Sequence, residues 1–227
     1  MPDEPPLILF DMDGTLVNLP NIQSAVFEHA MANTYGIATS LSQVPIHGAT
    51  HYGIALALGA LWGIDEETIS AGFAEFTRLA GLEMDRLLRD YGQPLSFPRI
   101  REMAAALQSA GYQAGIMTGN PREVGEAVLR HAGLDGFFLL RHFSGRHRDR
   151  NELLAGVLDS MSGNRKVVIV GDTPADIIAS HHFGLPAVAV TTGIFRSELD
   201  FRDCHPELIC PCLDATFPQA IAGLLAG

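Results

Sequence analysis

The chain has 227 residues, with 26 Asp and Glu against 15 Lys and Arg and a formal net charge of −11. This acidic balance disfavours nucleic acids and anionic membranes as partners, because both bind basic surfaces. No apolar run approaches the roughly 20 residues needed to cross a bilayer, and acids stand at the N-terminus where a signal peptide has bases, so a cytoplasmic protein is expected.

The first predicted strand, Leu7–Phe10, is a fully apolar run that ends in two carboxylates. Such a run is typical of a parallel strand that is covered on both faces of its sheet. Ligands of open α/β sheets bind beyond the carboxyl ends of the strands, where Asp11 and Asp13 stand. Because two neighbouring carboxylates repel each other, the pattern predicts a bound cation or a protonated carboxyl group at this strand end.

The segment from about residue 19 to 92 shows helical periodicity and no convincing strand. One apolar face begins at Ile22 and runs to Ala30, and a longer stripe runs from Ile69 to Tyr91 in steps of three or four residues. Between the two lies a polar, glycine-flanked segment, residues 47–53, which we interpret as a loop that leads into a helix.

From Pro98 onward, helical and strand patterns alternate. Strands are predicted near residues 113–117, 137–140, 166–170 and 187–190, with a weaker signal at 208–209. This alternation predicts a doubly wound α/β core with a parallel sheet. About 100 residues separate Asp13 from Thr118, whereas a plain βαβ unit needs about 30. We therefore expect a core made of residues 1–18 and 93–227, with an α-helical domain, residues 19–92, inserted into it.

Two further predicted strands end in polar residues that could bind an anion or a metal ion. Thr118, Gly119 and Asn120 precede a proline, which places a hydroxyl and a helix start at the end of one strand and favours an anion site. Asp172 and Asp176 follow another strand, and their oxygens are ligands of the kind that Mg²⁺ prefers.

These stretches resemble the motifs of the haloacid dehalogenase-like hydrolases, in their phosphoglycolate phosphatase-like branch. Residues 11–17 resemble the first motif, residues 118–122 the second, and Gly-Asp-x-x-x-Asp at 171–176 the fourth. The resemblance implies that Asp11 is the nucleophile and that Asp13 is the general acid and base. It also implies that Thr118 binds the phosphoryl group, and that the helical insertion is a type-one cap that closes over the site.

The metal site that the resemblance implies holds Mg²⁺. Its ligands would be Asp11, Asp172, the backbone carbonyl of Asp13 and, as a ligand or a support, Asp176.

The third motif departs from the family pattern, which has a lysine before the metal-bearing strand. Lys166 opens that strand and would lie at its far end, so an arginine must replace the lysine. Arg150, directly before a predicted helix, matches the place best. Arginine can bind phosphate with two nitrogens, whereas lysine acts as a compact charge. The replacement should therefore still neutralise the charge of the phosphoryl group and the nucleophile, but with a different contact geometry. We interpret Arg146 and Arg148 as surface residues.

The resulting hypothesis is a Mg²⁺-dependent phosphatase that hydrolyses a small organic phosphate monoester through an aspartyl-phosphate. Besides Thr118 and Arg150, the expected substrate contacts are Gly119, Asn120, His47 and Thr50; His51 and Tyr52 lie in the same loop. A phosphomutase of the same fold and a catalytically silent binder of a phosphate ligand remain alternatives, whereas haloacid dehalogenation would leave Asp13 and the metal site without a task. Either a monomer or a homodimer is expected.

Three cysteines, Cys204, Cys210 and Cys212, lie near His205 and permit a zinc site. The Cys-Pro-Cys spacing is shorter than that of paired zinc ligands, so free thiols in a reducing compartment are the favoured interpretation.

Overall fold

The computed structural model describes residues 4–19, 22–161 and 165–225. Its described part contains a six-stranded parallel sheet with strand order β3-β2-β1-β4-β5-β6. The strands are β1 (Leu7–Phe10), β2 (Gln113–Thr118), β3 (Leu140–Phe143), β4 (Val167–Gly171), β5 (Ala187–Val190) and β6 (Leu208–Cys210). The predicted doubly wound α/β class is confirmed.

Helices connect the strands and cover both faces of the sheet. They are α1 (Ile22–Tyr35), α2 (His51–Leu61), α3 (Glu66–Arg89), α4 (Ile100–Ser109), α5 (Arg122–Ala132), α6 (Arg150–Asp159), α7 (Pro174–His182) and α8 (Phe217–Ile221). In the described chain, no helix combines the length and the apolarity needed to cross a membrane.

The central strand β1 is buried along its whole length. It pairs with β2 on one side and β4 on the other, so that Leu7 lies beside Gln113 and Val167. Ile8 and Phe10 belong to one hydrophobic cluster, and Leu7 and Leu9 to another. Because both faces are packed, β1 contains no polar residue, and its two carboxylates come only where the sheet ends.

The strand predicted at residues 137–140 is wrong by three residues, because β3 begins at Leu140. Phe138 is fully buried instead, and its ring packs edge-on against Phe10 with 5.8 Å between centroids. The true strand lies at the edge of the sheet and carries Arg141 and His142. An edge strand is half-covered, so its sequence lacks the apolar run that marks β1 and β4.

The segment between β1 and α4 folds into helices, as its periodicity predicted. α3 packs along α1 and also along α5, which follows β2. One continuous hydrophobic cluster joins these helices to the sheet, with Phe27 and Phe76 on one side and Phe10 on the other. The division into a core domain and a cap domain stays a prediction.

Phe138→Ala should lower the free energy of unfolding by about 3–5 kcal/mol, because it leaves a cavity beside Phe10. Leu139→Ala is the matched control: its side chain is 79% exposed, and its substitution should change stability by less than about 0.5 kcal/mol. Urea unfolding of the two variants measures the difference. Similar losses in both would contradict the observed register of this segment.

Candidate active site

The carboxyl ends of β1, β2 and β4 meet at one edge of the sheet, where a cavity of about 840 Å³ opens. Asp11 follows β1, Thr118 ends β2, and Asp172 follows β4. Parallel neighbours bring their carboxyl ends to the same edge, which explains why residues so distant in sequence come together. Asp11, Asp13, Asn120, Arg150 and Asp172 form the polar base of the cavity.

Three carboxylates, those of Asp11, Asp172 and Asp176, form a buried cluster. Each places one oxygen within 4.8 Å of the others, and it is the one group of three possible metal ligands found in the described part of the chain. Burial, more than mutual repulsion, raises the pKa of Asp11 to about 7 and that of Asp172 to about 8. The cluster can therefore hold a cation or a proton at near-neutral pH.

Arg150, the first residue of α6, is buried against this cluster. Its Nη2 donates to Asp11 Oδ1 at 2.6 Å, its Nε lies 3.0 Å from Asp176 Oδ1, and its Nη1 donates to the carbonyl of Met117 at 3.3 Å. Burial alone would lower the pKa of the guanidinium, but the two carboxylates raise it above its ordinary value. The group is a permanent cation at the base of the cavity.

Asp13 lies in a separate network beside the cluster. Asn120 Nδ2 donates to Asp13 Oδ2 and to Thr118 Oγ1, and the Asn120 backbone N–H also donates to Thr118 Oγ1 at 3.2 Å. Burial raises the pKa of Asp13, while hydrogen bonds from Asn120 and Gln23 partly oppose the rise. A carboxyl group with a raised pKa is suited to proton transfer.

Asp176 is held on both sides by the protein. Its Oδ2 accepts from the backbone N–H and the hydroxyl of Thr173, which caps α7, and its Oδ1 faces Arg150. Asp172 has fewer protein partners: the Thr15 hydroxyl donates to its Oδ1 at 3.3 Å. The two acids of this motif thus differ in how freely they can bind a ligand.

Gly14 and Gly193 flank the Asp172 carboxylate so closely that a Cβ on either residue would overlap it. Gly14 also has a φ of +81°, which disfavours any side chain there. Gly193 was missed by sequence reasoning, because nothing in its local sequence marks it as part of a site.

The predicted substrate residues do not all reach the cavity. His47 lies exposed at the mouth, with its ring 5.9 Å from that of Phe195, and Gly119 and Asn120 line the interior. Thr50 is fully buried, and its hydroxyl donates to the carbonyls of His147 and Arg148 at 2.7 and 3.0 Å. Its predicted substrate contact is corrected, since the hydroxyl caps α2 and fastens that helix to the loop before Arg150.

Other predicted positions lie where expected. Arg146 and Arg148 are exposed and contact Ser70 and Glu66, respectively. Lys166 lies at the start of β4, away from the cavity, where its Nζ donates to the Leu225 carbonyl.

The cysteines are all free thiols, as the sequence favoured. Cys204 and Cys210 are buried, and Cys212 is exposed.

Three sequence and structure comparisons place these features in context. The family model described as haloacid dehalogenase-like hydrolase matches residues 8–190. A phosphoglycolate phosphatase from Agrobacterium fabrum is 25% identical, with 97% of this chain and 94% of that protein covered. A tyrosine-protein kinase from Mycobacterium tuberculosis is 27% identical over 88% of this chain and 66% of that protein.

Among solved structures, a predicted phosphatase from Clostridium acetobutylicum superposes with a TM-score of 0.69 at 18% identity, covering 96% of this chain and 98% of that one. This likeness shows the fold. Because the family model spans most of the sequence, the chain belongs to the haloacid dehalogenase-like hydrolases, and the predicted enzyme class, a phosphatase-type hydrolase of this family, is confirmed.

Proposed function

We propose that the protein is a Mg²⁺-dependent phosphatase that hydrolyses a small organic phosphate monoester through an aspartyl-phosphate on Asp11. The observation that carries the proposal is the Asp11 carboxylate at the base of the cavity, fixed by the buried Arg150 at 2.6 Å and clustered with two further acids.

The donor set fits Mg²⁺. Three clustered carboxylates are hard oxygen ligands, and Arg150 alone leaves excess negative charge in a buried place. Asp11, Asp172 and the backbone carbonyl of Asp13 would hold the ion, and Asp176, whose oxygens already have protein partners, would support them. When bound, Mg²⁺ supplies positive charge that stabilises phosphoryl oxygens.

The first chemical step would be attack of Asp11 on phosphorus. Arg150 holds the Asp11 carboxylate in place through its hydrogen bond to Oδ1. The same guanidinium is the nearest fixed cation for the developing charge on phosphoryl oxygens. The Thr118 hydroxyl accepts two hydrogen bonds from Asn120 and keeps its own hydrogen to donate to a phosphoryl oxygen.

Proton transfer would belong to Asp13. Because burial raises its pKa, it can hold a proton for the leaving alcohol, and after that transfer it can accept a proton from the water that cleaves the aspartyl-phosphate. Asn120 orients the carboxyl group through its hydrogen bond to Oδ2.

Residues 19–92 would act as the cap of this site, over the core formed by residues 1–18 and 93–227. The support is that the 47–49 loop and the first residue of α2 line the same cavity as the carboxylates. The presence of Arg150 in the place of the missing lysine weakens the silent-binder alternative, while a phosphomutase would return an isomer of its substrate instead of free phosphate.

Phosphate release from a panel of monoesters should require both Mg²⁺ and Asp11. Asp11→Asn should lower kcat/KM by about 1000-fold or more, because the amide cannot act as the nucleophile. Asp203→Asn, at a side chain that is 93% exposed, is the matched control and should retain full activity. Comparable turnover with excess chelator, or in Asp11→Asn, would contradict the proposal; an isomeric product without phosphate would indicate a mutase.

Arg150→Lys should lower kcat/KM about tenfold to 100-fold while the protein still folds. Lysine keeps the charge but cannot contact Asp11, Asp176 and the Met117 carbonyl together. Arg148→Lys is the control, since Arg148 is exposed and pairs with Glu66. Steady-state kinetics compare the two variants, and equal activity would exclude a special role for Arg150.

Stability should depend on pH and Mg²⁺ together. The pKa values of Asp11, about 7, and Asp172, about 8, exceed the ordinary 3.8, so the folded state binds more protons than the unfolded state between about pH 4 and 8. Without a divalent ion, these groups reduce the free energy of unfolding as pH rises through that window.

Mg²⁺ binds the ionised carboxylates, so at fixed concentration it should raise the melting temperature more at pH 8 than at pH 5. Thermal melts of wild type and Asp172→Asn measure this, and the variant should show a much smaller shift. An equal shift in both proteins would place the ion elsewhere.

A further inference from the structure

The wall of the active-site cavity has two chemically distinct parts. The charged groups, Asp11, Asp13, Asp172 and Arg150, lie at its base. The wall beyond them carries no buried charge among its described residues and combines uncharged polar side chains, such as those of Asn18, Gln23 and Thr191, with an apolar part formed by Leu19, Phe27, Leu41, Ile46, Ile54 and Phe97. A phosphoryl group at the base would thus direct the rest of the ester toward apolar side chains.

Positive charge is scarce along this wall. Among its described residues no lysine occurs, and the arginines are Arg150 and Arg196. Arg150 is taken up by Asp11 and Asp176, and Arg196 is exposed at the rim, where its Nε donates to the carbonyl of Gly193 at 3.1 Å. A carboxylate on the leaving group would enter a cavity with three acids at its base and no buried cation free to pair with it.

His51, the one histidine of the inner wall, adds no charge. Its ring is 7% exposed and meets Phe27 edge-on at 5.2 Å and Phe76 at 6.3 Å, and its Nδ1 is buried without a partner in the described chain. A protonated imidazole would bury an unpaired N–H here, and burial accordingly lowers the pKa of His51 to about 4. The ring is therefore neutral at physiological pH and adds no charge to the wall.

The size of the cavity, about 840 Å³, lies in the range of pockets that hold ligands of drug size. The few atoms of a glycolyl group would leave most of the apolar wall without contact. A larger leaving group would cover that wall and gain the free energy of apolar burial.

We propose that this cavity selects phosphate monoesters whose leaving group is uncharged and partly apolar, and that Phe27, His51 and Ile54 form the wall that sets this preference. The inference rests on the proposed phosphatase activity and narrows its substrate class. The proposal implies that this chain does not prefer phosphoglycolate, the substrate in the name of several relatives.

The test uses three esters of nearly equal size that differ in charge: 2-phosphoglycolate, 2-hydroxyethyl phosphate and O-phosphoethanolamine. The uncharged 2-hydroxyethyl ester should have the highest kcat/KM, by about tenfold over each charged ester, because the described wall beyond the base offers neither a carboxylate for the ammonium group nor a free buried cation for the carboxylate. From ethyl to butyl phosphate, kcat/KM should rise about 15-fold, since each of the two added methylenes contributes about a factor of four when it is buried.

A positive charge introduced into the wall should change the relative kcat/KM values of the charged and uncharged esters. Ile46→Lys, at a half-buried loop position on the wall, should raise the ratio of phosphoglycolate to 2-hydroxyethyl phosphate about tenfold. Ile178→Lys is the matched control, because Ile178 is exposed on α7 and does not line the cavity; it should leave the ratio unchanged.

The outcomes separate the two proposals. If a charged ester is the best substrate while Asp11→Asn is inactive, the phosphatase assignment stands and the inferred preference is overturned. In that case, loss of phosphoglycolate turnover in Arg196→Gln would identify the rim arginine as the determinant. If wild type hydrolyses no ester of the series or of the wider panel, the proposed function fails and the preference fails with it.

Discussion

The ion pairs of Arg150 are the interaction on which the site depends. Three carboxylates lie buried within a few ångströms of one another, and a single guanidinium contacts two of them. Burying charge is costly unless it is paired, so without Arg150 the strand ends of β1 and β4 would repel each other. Even with Arg150, one positive charge does not neutralise three carboxylates. The remaining negative charge makes this cluster suited to a divalent ion.

The position of Arg150 is in turn linked to the N-terminus of α2. The Thr50 hydroxyl, at the start of α2, donates to the carbonyls of His147 and Arg148, just before α6 begins. The next residue, His51, donates its backbone N–H to the carbonyl of Gly119, beside the Thr118–Asn120 network. Gly53 approaches the Arg148 carbonyl so closely that a side chain would not fit. The N-terminus of α2 therefore contacts two segments of the site, the loop before α6 and the residues that follow β2.

Much of this arrangement was predictable because its signals are local. The apolar run of β1 followed by Asp-x-Asp, and the acids after β4, reveal both strand and chemistry within a few residues. Arg150 was found by its place before a helix, although the family pattern has lysine there. Its contact with Asp176 was not predictable, because it depends on the packing of α6 beside α7. The predicted substrate contact of Thr50 was wrong because a threonine hydroxyl is typical both of a helix cap and of a substrate-binding residue, and the sequence does not distinguish the two.

The packing of α3 along α5 has a consequence for how specificity could be exchanged within the family. Gly81 of α3 lies directly against Glu123 of α5. Asp85 of α3 accepts a hydrogen bond from Arg130 and contacts His131, which also belong to α5. α3 thus contacts α5 over a surface that is separate from the cavity. A chimera that received only the segment from α1 to α3 would bring new cavity-lining residues without the face of α5 against which α3 packs. The segment from α1 to α3 and the face of α5 that contacts α3 would therefore have to be exchanged together.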